Sequence, residues 1–153
     1  MAIKVNPDFP EVYNNLGFFL LEEGNTNEAI YNLRKAVTLD PEFTVAYWNL
    51  GNALMAEEKT NEAISHYKTA IKLNPDYAEA YNNLGSCFTL LGNMNSAIDS
   101  YQKALEINAD YAEAYNSLGN ALNLLAKVKA VIKCFEKAIE INPDYADAYN
   151  SLG

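Results

Sequence analysis

The sequence predicts an all-α solenoid in which pairs of antiparallel helices repeat every 34 residues. Two observations support this prediction: residues of the same type recur at that spacing, and within each period the apolar residues are spaced as in helices. The recurrence is clearest for an aromatic position and the glycine four residues after it: Tyr13, Tyr47, Tyr81, Tyr115 and Tyr149, with Gly17, Gly51, Gly85, Gly119 and Gly153. A period between about 20 and 50 residues is typical of a solenoid, whose repeats pack on their neighbours, and not of one globular core.

The period divides the chain into one solenoid with four complete units and two partial ones. The complete units are residues 10–43, 44–77, 78–111 and 112–145. Residues 1–9 match the end of a preceding unit, and residues 146–153 match the start of a fifth. We expect few long-range contacts, because each unit of such an array touches only the adjacent ones.

Each complete unit is expected to contain two amphipathic helices separated by a turn. In the third unit Ala80, Leu84 and Phe88 are four residues apart, which is a helical spacing. Gly92 follows, and glycine readily adopts the left-handed conformation that ends a helix. Gly85 has no side chain, so we expect the two helices of its unit to approach closely there.

Two units depart from this pattern at the turn. Glu58 replaces the turn glycine in the second unit and Ala126 replaces it in the fourth, so we expect turns of a different form or of lower stability. The fourth unit also has Val131 where the third has Ala97. Overpacking at a helix crossing costs on the order of 1 to 3 kcal/mol. We therefore expect the fourth unit to open before the second and third.

A proline and an acidic residue mark the boundary between units. Asn74-Pro75 is expected to end a second helix, because proline disfavours helical conformation in the residue before it. Asp76 is then expected to cap the next helix, with Glu79 three residues later reaching back to the cap.

The composition limits the classes of partner. Twenty acidic residues against eleven basic ones give a net charge of −9, which disfavours nucleic acid as a partner. Apolar runs fall short of the roughly 20 residues that cross a bilayer, so no membrane interaction is expected. The amino terminus lacks the pattern of a secretory signal, which favours a cytoplasmic location. Four of the bases are expected to form a solvent-exposed face, or else a docking site for an acidic partner: Lys127, Lys129, Lys133 and Lys137.

No residue pattern indicates catalysis, a metal or a cofactor. Cys87 and Cys134 do not have the spacing of metal ligands, and they are interpreted as small apolar residues in a reducing compartment. His66 is the only histidine, and the equivalent places in other units hold unrelated residues. We therefore expect the chain not to be an enzyme by itself.

The order of aromatic, leucine, glycine, alanine and proline residues over 34 positions resembles the tetratricopeptide repeat. The second unit shows the whole pattern: Tyr47, Leu50, Gly51, Leu54, Ala63, Tyr67, Ala70 and Pro75. The resemblance covers the chain, with Ala109 in place of the proline in the third unit. It implies a right-handed superhelix whose first helices line a concave surface, and a function as a binding scaffold.

Asparagines in the first helices are the candidate binding residues on that implied surface. They stand at the fifth, sixth or ninth place of a unit, with one tryptophan among them: Asn14, Asn15, Trp48, Asn49, Asn52, Asn82, Asn83, Asn116 and Asn120. An amide offers donors and an acceptor, so a row of amides can pair with the main chain of an extended peptide whatever its sequence. Trp48 is either an anchor for the peptide or a residue buried between two helices.

The asparagines have a second interpretation, in which they cap helices, meet solvent or bond a neighbouring helix. In favour of binding, the row resembles the repeat arm of O-linked N-acetylglucosamine transferases, which helps to hold acceptor peptides. The equivalent residues are Asn15, Asn49 and Asn83, and Ser117 interrupts the row. The two-lysine clamp of chaperone-binding members has no counterpart, because the first helices contain no lysine. Glu79 and similar acids favour a neutral or basic segment instead.

The leading hypothesis is therefore a scaffold that binds a protein or peptide partner. A second hypothesis is the substrate-recognition arm of a larger enzyme, such as a glycosyltransferase or sulfotransferase. A third is a self-assembling array, a head-to-tail homo-oligomer formed through the chain ends. It depends on apolar residues at the two ends, Ile3 and Phe9 at one and Tyr149 and Leu152 at the other, which are complementary parts of one repeat.

Overall fold

The computed structural model describes residues 9–141, and this part of the chain forms seven α-helices and no strand. The helices are α1 (Pro10–Glu22), α2 (Thr26–Leu39), α3 (Thr44–Ala56), α4 (Thr60–Leu73), α5 (Ala78–Leu90), α6 (Met94–Ile107) and α7 (Ala112–Ile141). None of those seven is both long enough and apolar enough to cross a membrane. The predicted all-α fold is confirmed. Ile3, Tyr149 and Leu152, on which the head-to-tail hypothesis depends, lie outside the described residues.

Helices that follow one another along the chain pack on one another. α1 pairs with α2, α3 with α4 and α5 with α6, and α2, α4 and α6 each contact the next helix. The odd-numbered helices also contact each other in order, α1 with α3, α3 with α5 and α5 with α7. They form one surface, which we call the first-helix surface: residues 10–22, 44–56, 78–90 and 112–125.

The core lies between the paired helices and alternates small and large residues. Ala63 and the ring of Tyr67 are buried in α4. The backbone of Gly51 lies so close to this ring that an added Cβ would be 2.5 Å from Cε1 of Tyr67. At Gly85 the corresponding distance to Cε1 of Tyr101 is 2.6 Å. The expected close approach of the helices at these glycines is confirmed.

The turn of the second unit has the same form as that of the third, although it contains no glycine. Glu58 has a φ of 58° and Gly92 a φ of 75°, both in the left-handed region. The Glu58 N–H donates to the carbonyl of Met55 at 3.0 Å, as the Gly92 N–H does to that of Thr89. The prediction of a different turn is therefore wrong here, although a left-handed residue with a Cβ still costs about 1 to 2 kcal/mol.

The fourth unit differs from its prediction, because α7 runs without a break from Ala112 to Ile141 over 30 residues. The expected turn at Ala126 is absent. Alanine is the best helix former and strongly disfavours the left-handed conformation, so the helix continues where the other units turn. Val131 is exposed and does not lie at a helix crossing, so overpacking by Val131 is not a reason for instability.

The turn between units is closed differently from the prediction. Tyr77, not Asp76, is the N-cap residue of α5, and no side chain accepts a capping hydrogen bond there. Instead the Asp76 N–H donates to Oδ1 of Asn74 at 3.1 Å, and the Asp110 N–H donates to Oδ1 of Asn108 at the same distance. The predicted aspartate cap is wrong, because the asparagine two residues earlier closes the turn with its own side chain.

Candidate functional site

All nine predicted binding residues lie on helices that form the first-helix surface. Their side chains divide into a buried group and an accessible group. Asn14, Asn49 and Asn82 are buried, whereas Asn15, Asn116 and Asn120 are exposed; Trp48, Asn52 and Asn83 are half-buried. The amides therefore do not form one uniformly displayed row.

The buried asparagines connect neighbouring helices. Nδ2 of Asn49 in α3 donates to Oδ1 of Asn14 in α1 at 2.8 Å. Nδ2 of Asn14 in turn donates to Oδ1 of Asn15 at 3.3 Å. Nδ2 of Asn82 in α5 donates to Oε1 of Glu113 in α7 at 3.2 Å. Asn49 and Asn82 therefore fit the second interpretation of the asparagines, in which the side chain bonds a neighbouring helix.

Asn52 and Asn83 form a second polar cluster with a buried tyrosine. Oδ1 of Asn52 accepts from the hydroxyl of Tyr67 and from Nδ2 of Asn83, each at 2.7 Å. Burial raises the pKa of Tyr67 far above its ordinary value, so the hydroxyl stays protonated and remains a donor. Both acceptor sites of the Asn52 oxygen are filled, which fixes the amide orientation. The N–H groups of Asn52 are thereby left for other partners.

This cluster forms one wall of a pocket of about 210 Å³ between α3, α4 and α5. Asn52, Tyr67, Asn83, Met55 and Ser86 line it. The pocket thus presents amides and a hydroxyl beside an apolar thioether. That combination accommodates a main-chain peptide group or a short polar side chain, because it contains both donors and acceptors.

Trp48 is held in place by aromatic packing. Its ring lies 5.8 Å from that of Tyr77, tilted by 43°, and it packs against the core formed by the first three units. Burial, with a smaller contribution from Glu79, raises the pKa of Tyr77 to about 12. Nε1 of Trp48 is buried and donates no hydrogen bond within residues 9–141. Trp48 is therefore a partly buried residue at the base of the surface and not a freely exposed anchor.

Acidic side chains lie at the edge of the first-helix surface near α5 and α7. Glu79 and Glu113 are exposed at the starts of these helices. Burial and then the two carboxylates raise the pKa of Tyr111. The negative potential at this edge favours a positively charged group in any bound segment.

Three groups that line the pocket were not predicted from the sequence: Met55, Ser86 and the hydroxyl of Tyr67. A signal was present for Ser86 alone, because it stands at the ninth place of the third unit, where the second unit has the predicted Asn52. The tyrosine hydroxyl could not be assigned a role, since the sequence does not show which side chain it meets. Structure alone places it 2.7 Å from Asn52.

The environment of Cys87 does not favour nucleophilic chemistry. Cys87 is buried with its Sγ 3.2 Å from Sδ of Met55. Burial raises the pKa of its thiol to about 11, and a neutral thiol is a poor nucleophile. Within the described residues no three His, Cys, Asp or Glu side chains are grouped closely enough to hold a metal ion.

Three family models match the chain. A model described as TPR repeat matches residues 19–57 and 51–92. A second model, described as tetratricopeptide repeat, matches residues 78–111 and 112–145. A third model with the same description matches residues 1–31. No curated protein sequence matches the chain.

Solved structures share the fold over most of the chain. The crystal structure of MamA is 33% identical with a TM-score of 0.76, and the match covers 95% of this chain and 85% of that one. The first TPR of Spaghetti (RPAP3), bound to the HSP90 peptide SRMEEVD, is 28% identical with a TM-score of 0.76, covering 82% and 99%. The first TPR domain of human RPAP3 is 27% identical with a TM-score of 0.77, covering 82% and 98%.

Proposed function

Since the chain belongs to the tetratricopeptide repeat family, we propose that its first-helix surface binds an extended peptide segment of a partner protein. Structural relatives support a protein-interaction function in general, because the RPAP3 domain was solved with a bound peptide. The segment contacts Asn52, Asn83 and the pocket between them. The same segment also contacts Asn15 on α1 and Asn116 and Asn120 on α7.

The observation that carries this proposal is the fixed pair of amides at Asn52 and Asn83. Their mutual hydrogen bond and that of Tyr67 set the orientation of both amides before any ligand arrives. Preorganised polar groups lose little entropy on binding, so more of their hydrogen-bond energy contributes to affinity. The carbonyl of Asn83 and the N–H groups of Asn52 supply the acceptor and donors that a peptide main chain needs.

Three buried polar atoms without partners among residues 9–141 lie beneath the first-helix surface. Nε1 of Trp48, Oδ1 of Asn49 and Oδ1 of Asn82 are buried and make no hydrogen bond within residues 9–141. A buried polar atom that stays unpaired costs about 1 to 3 kcal/mol. All three atoms belong to α3 or α5, the helices that carry the fixed amide pair.

The partner segment is neutral or basic. The HSP90 peptide in the RPAP3 structure, SRMEEVD, contains three acidic residues. Here residues 10–22, 44–56, 78–90 and 112–125 contain no lysine or arginine to pair with such a peptide. Glu79 and Glu113 at the edge of the surface attract the opposite charge.

The proposal is tested by selecting binders from a phage-displayed library of random peptides and measuring their affinity by titration calorimetry. Asn83→Ala should weaken binding of a selected peptide by about 1 to 2 kcal/mol, since it removes hydrogen bonds on the surface. Its fold should persist, because the Asn52 oxygen keeps the hydroxyl of Tyr67 as donor. Asn95→Ala is the matched control, since Asn95 is an exposed asparagine on α6.

Equal affinity of wild type and Asn83→Ala would contradict binding at this surface. Selection of acidic peptides only would contradict the proposed charge of the partner. Circular dichroism melting of both variants separates a loss of affinity from a loss of folding.

A further inference from the structure

The fourth unit has an uncovered site that is covered in the first three units. An added Cβ at Gly17, Gly51 or Gly85 would lie within 2.6 Å of a side chain from the second helix of the same unit. At Gly119 no atom of residues 9–141 lies within 4 Å of an added Cβ. The side of α7 around Gly119 therefore lacks the second helix that the equivalent side of α1, α3 and α5 packs against.

The residues that would cover this site are present but lie farther along the same helix. Val131 and Ile132 are 53% and 41% exposed, whereas Ala97 and Ile98, 34 residues earlier, are 0% and 9% exposed. Residues 127–141 thus have the sequence of a second helix, but Val131 and Ile132 lack the burial of their counterparts. The first half of α7 packs on α6, but its Gly119 side and the side chains of Val131 and Ile132 are open within the described residues.

One chain cannot bring the two halves of α7 together while the helix is continuous. At 1.5 Å per residue, residues 119 and 131 of a straight helix are about 18 Å apart along its axis. Within residues 9–141 no other segment of the same chain covers this site, whereas a second copy can supply one. The segment with the required residues at the required spacing is residues 127–141 of a second copy of this chain.

We infer that two copies exchange residues 127–141, so that the second half of α7 in each copy packs beside Gly119 of the other. The two α7 helices lie antiparallel and cross near Ala126, each copy completing the fourth unit of its partner. Such a contact uses the same surface on both copies and closes as a dimer with twofold symmetry. It differs from the head-to-tail association, which depends on the chain ends.

The charge distribution favours the exchange. Residues 127–141 contain four lysines and two glutamates, whereas the whole chain has a net charge of −9. The exchanged segment thus brings positive charge to an otherwise acidic molecule, which lowers the repulsion between two copies.

Light scattering after size-exclusion chromatography tests the inference with three proteins. Wild type should form a dimer whose fraction rises with concentration. Ala126→Gly combined with Lys127→Asn restores the Gly92-Asn93 sequence of the third unit, so this variant should fold back on itself and be a monomer. Gly119→Val should fold as well as wild type, because the space beside Gly119 is open in one chain. It should raise the dimer dissociation constant by roughly tenfold or more, because the added side chain meets the second copy.

Three outcomes would overturn the inference. A wild-type monomer at every concentration shows that α7 pairs within one chain or stays uncovered. A dimer that persists in the Ala126→Gly, Lys127→Asn variant shows association through another surface. A Gly119→Val protein that dimerises as tightly as wild type shows that the exchanged helix does not pack at Gly119.

Discussion

The third and fourth units have closely similar sequences but different structures. Leu90-Leu91-Gly92-Asn93 in the third unit ends α5 and begins a turn, whereas Leu124-Leu125-Ala126-Lys127 continues α7. The difference shows that the apolar pattern alone does not make a helix pair. A residue that accepts the left-handed conformation must interrupt the helix.

The second unit is intermediate between these two cases. Glu58 adopts the left-handed conformation without being a glycine. Leu54 and Tyr67 of this unit are fully or almost fully buried. Packing of α3 on α4 therefore compensates for the strained turn. In the fourth unit no corresponding contact holds the helix halves together within the described residues.

The largest expected effect concerns the glycines at the helix crossings. Gly85→Val should destabilise the fold by about 1 to 3 kcal/mol, because the ring of Tyr101 is buried and cannot move away. Gly119→Val should have almost no effect at low protein concentration, since its surroundings are open. Urea unfolding of the two variants measures the difference. Equal destabilisation would contradict the open fourth unit.

The next effect is the difference in local opening between α6 and the second half of α7. Amides of residues 127–141 should exchange with solvent faster than those of 94–107, because α6 packs on α5 and α7, whereas Val128, Val131 and Ile132 are exposed. Hydrogen exchange monitored by mass spectrometry, at a concentration where the protein is monomeric, measures this. The Ala126→Gly, Lys127→Asn variant should slow exchange in 127–141. Equal protection of the two segments in wild type would count against the structure of α7.

A smaller effect is expected at the turn of the second unit. Glu58→Gly should stabilise the fold by about 0.5 to 1 kcal/mol, since the strain of a left-handed residue exceeds the extra chain entropy of glycine. Glu57 has a φ of −93°, so Glu57→Gly in the same turn should not stabilise. Thermal unfolding of both variants gives the comparison, and the opposite order would show that the turn is not strained at Glu58.

The smallest effect is a shifted titration of His66, which stacks on Tyr47 with ring centroids 6.0 Å apart. Burial and then Arg34 lower its pKa below the ordinary value of 6.5, while Glu62 opposes this. The unfolded chain therefore binds the proton more readily, and the contribution of His66 to stability is lost as the pH falls below 6.5. An NMR titration should show a midpoint below 6.5, and Arg34→Ala should raise it. A midpoint above 6.5 would refute the assigned burial.

The helix pairs of the first three units could be predicted from the sequence because apolar spacing and glycine positions specify them locally. The continuous α7 could have been anticipated from Ala126, but the sequence does not show whether packing compensates for a missing glycine, as it does at Glu58.

Within the candidate site, the position of the asparagines on the first helices followed from the period. Their division into buried and accessible groups did not, because Asn82 and Asn83 are adjacent in sequence and differ only in the neighbours they meet.

The most direct test of the account is an NMR titration that follows the backbone amides and the asparagine side-chain amides while a selected peptide is added. The account predicts that the resonances of Asn52 and Asn83 shift most. Asn116 and Asn120 should respond less, and residues 127–141 should not respond. Shifts confined to residues 127–141, or to the second helices α2, α4 and α6, would contradict peptide binding on the first-helix surface.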